Sequence, residues 1–321
     1  MFLASAFAST LLPRTLAAQA VARPARIGWL TAQRPASLTP YIEALRAGLA
    51  GFGYVEGKNL MIEYRYANDA IERIPELAAE LVKLPVSTML VQGSAVQIVA
   101  DLKLPVPVAY VLSADPVSAG LAESLARPRG NMTGLTFMAA EFNAKRIELL
   151  TELIPNLKHI ALLGHPEHAG EHFERANAQE AADRLGIALT YYPTRTRADL
   201  DSALAAIAAT RPQAISVFSD GFAIQYGRAM IEFATSHGIP VIGGWAVFAQ
   251  YGALCSYGPK LSGSYRRLAY YVDRILKGAK PEDIPIERPT EFELVVNLRA
   301  ARALNMTIPA TLVARADQVI E

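Results

Sequence analysis

His165, His168 and His172 fall close together, with Glu167 and Glu171 beside them. At spacings i, i+3 and i+7 they would share one face of a continuous helix, and imidazoles beside carboxylates suit zinc. Pro166 and Gly170 interrupt any such helix. The preferred reading is therefore of loop and first-turn residues, with no metal expected and His165, at a strand end, as a candidate contact to a small ligand. Asp220, preceded by Ser219, follows the apolar run 214–218. A carboxylate there would hold a ligand ammonium through a charge-assisted bond of about 1.5–3 kcal/mol; its alternative is to cap the helix that follows.

Gly93-Ser94-Ala95 closes a strand and opens a helix. Free N–H groups and the positive end of the helix dipole suit a carboxylate, to which Ser94 would add a hydroxyl; equally, Ser94 would cap its own helix. Ser113 and Asp115 stand in a similar loop, where Asp-Pro is also an ordinary helix-start signal. Phe222 and Trp245 offer flat apolar walls to a cavity, with core packing as the rival role. Serine-hydrolase, phosphate-loop, dinucleotide and zinc-protease motifs do not occur in the sequence. The chain thus reads as a binding protein without a cofactor rather than an enzyme, although a doubly wound scaffold hosts both.

These residues need elements to position them. From Arg26 onward short β-rich runs alternate with helical patterns. Strands are expected at 27–30, 60–66, 88–91 and 106–112, with helices at 41–49, 74–84 and 94–102. A linking helix at 141–154 is followed by the same rhythm: strands at 159–163, 187–192, 214–218 and 239–242, helices at 173–185, 200–209 and 223–237. Apolar strands separated by helices indicate parallel sheets covered on both faces. The expected fold is α/β, with two doubly wound parallel-sheet (Rossmann-like) lobes. Ligands in such sheets sit beyond the carboxyl ends of the strands. A cleft between lobes would be lined by Thr31 to Pro35, Gln92 to Ala95 and Ser113 to Pro116, facing Gly164 to Pro166, Ser219 to Phe222 and Gly243 to Trp245.

Bulk properties agree. The chain has 321 residues, 52% of them hydrophobic, enough for about two domains and too apolar for a disordered chain. Lys+Arg number 31 against Asp+Glu 30, a net charge of +1 without long charge runs, which gives nucleic acid no electrostatic footprint. Cys255 is the single cysteine, so no internal disulfide can form. Residues 2–12 form an uncharged apolar run followed by Ala18-Gln19-Ala20, a small-x-small cleavage pattern. Residues 1–20 are therefore expected to be a signal peptide, whose missing basic flank is read as a start codon assigned too late.

Three groups of residues carry a family resemblance. One runs from Ser113-Ala114-Asp115-Pro116-Val117 through Ser124-Leu125-Ala126-Arg127-Pro128 to Gly130-Asn131-Met132-Thr133-Gly134. A second comprises Ser256-Tyr257-Gly258-Pro259, Tyr265-Arg266-Arg267 and 271–278. The third is Phe292-Glu293-Leu294-Val295-Val296-Asn297 with Ile308-Pro309 and 314–317. Together they resemble the substrate-binding proteins of ABC transporters, a family with tryptophan- and tyrosine-linked members. The resemblance implies a type I periplasmic-binding fold with a three-crossover hinge. It places residues 21–137 and 255–288 in the N-terminal lobe and 138–254 and 289–321 in the C-terminal lobe. It also implies a periplasmic monomer that closes on a small-molecule solute, an amino acid or related organic acid, and hands it to a membrane permease. A periplasmic enzyme and a ligand-sensing domain are the alternatives. The family pattern is altered at 245–248 and 164–168, both expected cleft loops.

Overall fold

The computed structural model describes residues 24–138, 140–168 and 170–321; the expected signal peptide lies outside them. The chain opens with β1 (Ala25–Thr31), α1 (Thr39–Gly51), β2 (Leu60–Tyr66), α2 (Ile74–Lys83), β3 (Thr88–Gln92), α3 (Ala95–Leu102) and β4 (Val108–Leu112). A small hairpin of β5 (Ala122–Ser124) and β6 (Arg127–Pro128) precedes β7 (Met132–Thr136). The first sheet has five parallel strands in the order β2-β1-β3-β4-β7. Strands β3, β4 and the edge strand β7 are buried throughout, as expected where helices cover both faces.

The chain then crosses into α4 (Ala140–Leu153), β8 (His159–Gly164), α5 (Glu171–Arg184), β9 (Ala188–Pro193), α6 (Arg197–Thr210), β10 (Ala214–Val217), α7 (Gly221–Ser236), β11 (Val241–Gly243), α8 (Ala246–Tyr251) and β12 (Cys255–Pro259). It returns to the first lobe as α9 (Leu261–Leu276), then crosses back for β13 (Phe292–Asn297), α10 (Leu298–Ala303), α11 (Ala310–Ala314) and β14 (Gln318–Ile320). The second sheet runs β14-β13-β12-β11-β10-β8-β9, and only the β12/β13 pair is antiparallel. Cys255–Pro259 is thus a strand of the second sheet, and the return crossing falls after Pro259 rather than at residue 255. The reason is burial: Cys255 and Ser256 have no exposed surface, and they pair with Ile242 and Gly243 on one side and Val296 and Val295 on the other.

The returning helix α9 completes the first lobe. Tyr265 stacks on Tyr41 of α1 with ring centroids 5.1 Å apart and tilts against Trp29 of β1 at 6.2 Å. The close approach requires Gly48, where a Cβ would stand 2.4 Å from the Arg266 carbonyl oxygen. The crossings are tied together. Thr136 donates its N–H to Glu287 O at 3.0 Å, and Lys260 donates to Glu291 O at 3.0 Å.

Candidate ligand-binding site

Strand order locates the site. In the first sheet the direction of winding reverses between β1 and β3; in the second it reverses between β8 and β10. The crevice at such a reversal is where doubly wound sheets take ligands. Here the two crevices face one another around a cavity of about 460 Å³. The first lobe lines it with Thr31, Gln33 and Arg34 after β1, Gln92, Gly93 and Ser94 after β3, and Asp69, Ile71 and Glu72 after β2. From the second come His165, Glu167 and His168 after β8, Arg195 to Arg197 after β9, and Asp220, Phe222, Gln225 and Tyr226 at α7.

The lobes are closed on each other. A chain of side chains runs from the Thr31 hydroxyl to Gln92 Oε1 at 3.3 Å and from Gln92 Nε2 to Gln33 Oε1 at 2.6 Å. Gln33 Nε2 then donates across the cleft to Gly221 O at 2.8 Å. Nearer the edge strands β2 and β9, Asp69 Oδ2 accepts from Arg34 Nε at 2.8 Å, Gln225 Nε2 at 2.5 Å and the Tyr226 hydroxyl at 3.3 Å. Asn68 and Asp69 present this carboxylate from left-handed backbone, at φ 53° and 74°.

Of the residues singled out in the sequence, Ser94, His165, Asp220 and Phe222 border the cavity. Ser94 stands at the N-cap of α3, yet its hydroxyl caps nothing, so it is free to serve a ligand. Asp220 caps the helix that follows and also borders the cavity. Oδ1 accepts from Ala223 N at 2.7 Å and caps α7, whereas Oδ2 reaches only the His165 N–H at 3.4 Å. Burial raises its pKa, an effect eased by His168, by the Ala223 N–H and by His165. Phe222 packs against Tyr226 at 4.6 Å and His165 at 5.6 Å, forming an aromatic wall.

The other candidates serve the framework. Ala95 is wholly buried in the first lobe's core, because the first turn of α3 turns that position inward. Asp115 is spent locally, accepting from Val117 N and from the N–H and hydroxyl of Ser118. Ser113 donates to Ser219 O at 2.9 Å across the lobes, and Ser219 Oγ accepts from Arg146 Nη2 at 2.7 Å. Trp245 is 3% exposed and packs on Phe137 and Phe248, with centroids 6.0 and 6.3 Å away. It follows β11, one strand removed from the reversal on the crossover side, so it fills the hinge instead of walling the cleft.

The three histidines do not converge. His165 faces the cavity, His172 is exposed with its ring edge on Phe173, and His168 is buried with Nε2 2.9 Å from Glu174 Oε1. Glu174 Oε2 accepts from Asn143, whose Oδ1 accepts from Arg146 Nη1 at 2.7 Å. Arg146 is fully buried and also donates from Nε to Tyr257 O at 3.0 Å. Burial lowers its pKa to about 10, against the pull of Glu174. Its guanidinium needs Gly244, where a Cβ would lie 2.6 Å from Nη2 and 1.8 Å from Ser219 Oγ.

Sequence reasoning did not single out Asp69, Glu72, Arg195, Arg197, Gln225 or Tyr226. The first four follow the ends of β2 and β9, and the strand-end rule would have reached them had it been applied to those strands. A wider groove of about 1000 Å³ runs outside α1 and α9. Its Lys260, Arg267 and Arg288 are paired with Glu291, Glu287 and Glu141, and it lies away from both strand reversals, which leaves the interlobe cavity as the candidate site.

Comparison with known proteins agrees with this architecture. Residues 34–320 match the family described as ABC transporter substrate binding protein. A tyrosine-binding protein of Clostridioides difficile is 22% identical over 260 residues, covering 79% of this chain and 73% of that one. A conserved domain protein of Vibrio cholerae superposes with a TM-score of 0.86 at 27% identity, covering 92% of this chain and all of that one. An ABC domain from Streptococcus pneumonia in complex with L-Trp gives a TM-score of 0.84 at 22% identity, with 92% and 100% covered.

Proposed function

The chain belongs to the ABC transporter substrate binding protein family, and we propose that it is the extracytoplasmic, monomeric receptor of an importer that closes around an amino acid. The observation that carries this reading is the cavity where the two crevices meet. Its volume falls in the range of about 300–1,000 Å³ typical of small-molecule sites. Asp220 supplies a buried carboxylate without a cationic side-chain partner among the described residues, suited to the ligand's ammonium. Ser94 and the N-terminus of α3 on the other lobe suit its carboxylate, and Phe222 with Tyr226 gives a face for an apolar or aromatic side chain. Two of the three named relatives are a tyrosine-binding protein and a domain in complex with L-Trp, which favours that class here.

Ligand contacts from both lobes are made together only when the lobes are closed, so the ligand would stabilise the closed form by its differential affinity for it. The closed outline is what a membrane permease would read. Among the described residues no helix is long and apolar enough to cross a membrane, and delivery would fall to such a partner. A thermal-shift series on the protein starting at Val21, against amino acids, aromatic acids and sugars, tests this. A ligand at about 100 times its Kd adds about 2.7 kcal/mol. A shift confined to amino acids and lost in Asp220→Asn supports the reading, and a shift confined to sugars overturns it.

A further inference from the structure

Asp220 is one member of a larger buried set of charges. His168 and Glu174 side chains are 5% and 1% exposed and lie in contact. Behind Glu174, Asn143 connects to Arg146 on α4. Gly170 holds the loop against this group, with its Cβ position 3.2 Å from both His168 Nε2 and Glu174 Oε1. His168 and Asp220 border the same cavity, linked through His165, whose carbonyl accepts the His168 N–H and whose own N–H points to Asp220 Oδ2.

Of the other carboxylate, cationic and imidazole side chains lining this cavity, all but Glu72 and the His165 imidazole at the cavity wall are committed to ion pairs. On α5, Glu171 pairs with Arg175 at 2.9 Å. On the loops, Glu167 pairs with Arg195 at 3.3 Å and Arg197 with Asp201 at 2.9 Å. From the first lobe, Arg34 pairs with Asp69, and Glu72 is exposed at the cavity edge. The balance therefore rests on Arg146, His168, Glu174 and Asp220. With His168 protonated the four sum to zero. A ligand ammonium at Asp220 adds a positive charge where water screens poorly, and a buried uncompensated charge is costly.

We propose that binding of an ammonium group at Asp220 is coupled to release of a proton from His168. The proposal rests on the amino-acid reading of the cavity. Burial pulls the His168 pKa down, but the hydrogen bond and charge of Glu174, with Asp220 and Glu171, carry it above the ordinary histidine value. The empty closed site thus holds a protonated imidazole at a pH where exposed histidines have lost theirs. A cation at Asp220 favours the neutral ring and lowers the His168 pKa in the complex. Affinity is therefore lowest below the complex pKa, rises with pH between the complex and free values, and levels off above the free value. Asp220, raised by burial, yields its own proton with the same sign.

Calorimetric titration of L-tyrosine and L-tryptophan at pH 6, 7 and 8, in paired buffers of different ionisation enthalpy, tests the coupling. The expected result is a Kd that falls with pH, by up to about tenfold per unit, with up to about one proton released per ligand. His168→Gln should flatten the pH dependence and abolish the release. Glu174→Gln should move the rising limb to lower pH. The proton count on the unaltered protein needs neither variant to fold. Binding that is flat from pH 6 to 8 without proton release overturns the coupling and leaves the amino-acid reading standing. Failure of both amino acids to bind at every pH overturns that reading and the coupling with it.

Discussion

The two ends of the seam between the lobes are both held by polar contacts, and they are built from different materials. At the crossover end Arg146 is fully buried, Ser113 and Ser219 are bonded out of reach of water, and Trp245 fills the space against Phe137. At the far edge Asp69 gathers Arg34, Gln225 and Tyr226, but the ion pair there is 57% and 31% exposed. A buried donor without its acceptor costs the full desolvation penalty, whereas an exposed one exchanges its partner for water at little cost. The crossover end is therefore suited to stay assembled while the far edge opens and closes. Two successive left-handed residues at Asn68 and Asp69 add local strain of the kind that collects at moving or ligand-gripping segments.

That contrast can be broken most forcefully at Arg146. Arg146→Ala removes the donor to Ser219 Oγ and to the Tyr257 carbonyl, and the buried positive charge near Glu174, and should cost about 3–5 kcal/mol, read as a lowered melting temperature. A melting temperature near that of the unaltered protein would remove Arg146 as the fixed point. Between the two ends, Asp220→Asn keeps an oxygen to cap α7 and removes the charge. Calorimetry should show amino-acid binding weakened by about 1.5–3 kcal/mol with melting nearly unchanged; equal affinity would reduce Asp220 to a helix cap.

At the far edge, Asp69→Ala should alter stability by less than about 1 kcal/mol. It should nevertheless speed ligand release in stopped-flow traces, and an unchanged release rate would take this edge out of the closure mechanism. Ser94→Ala makes the smallest change. With no cap to lose, melting should move by less than about 0.5 kcal/mol, while affinity weakens by about 0.5–1.5 kcal/mol if the hydroxyl meets the ligand.

Local pattern made the elements legible. The strand at 60–66 has the boundaries expected from alternation, and the helix at 74–83 starts where its apolar face starts. The strand ends were legible as well, and so was the rule that ligands gather there. Strand order was not, since it is decided by which apolar faces pack together over long sequence separations. That order puts the reversals at β1/β3 and β8/β10 and sends the cavity toward β2 and β9. Ser113, Asp115 and Trp245 follow β4 and β11 on the opposite side, so equally plausible polar and aromatic residues ended in the hinge or in a local turn. The Arg146 network was hidden for a related reason. An arginine in an amphipathic helix reads as solvated until the glycine that admits it, Gly244, is seen beside it.

The late arrival of α9 has a consequence for how the chain is made. Every strand of the first sheet is complete by Thr136, yet Tyr265, Leu268 and Val272 of α9 belong to the core that covers it. During synthesis the N-terminal lobe lacks part of its own interior until more than a hundred further residues have emerged, and chains tend to fold by domains only once a domain is whole. The long closure between β7 and α9 also slows folding once it begins. A nascent chain of this design stays pliable through most of its synthesis, and becomes rigid only when nearly all of it has emerged.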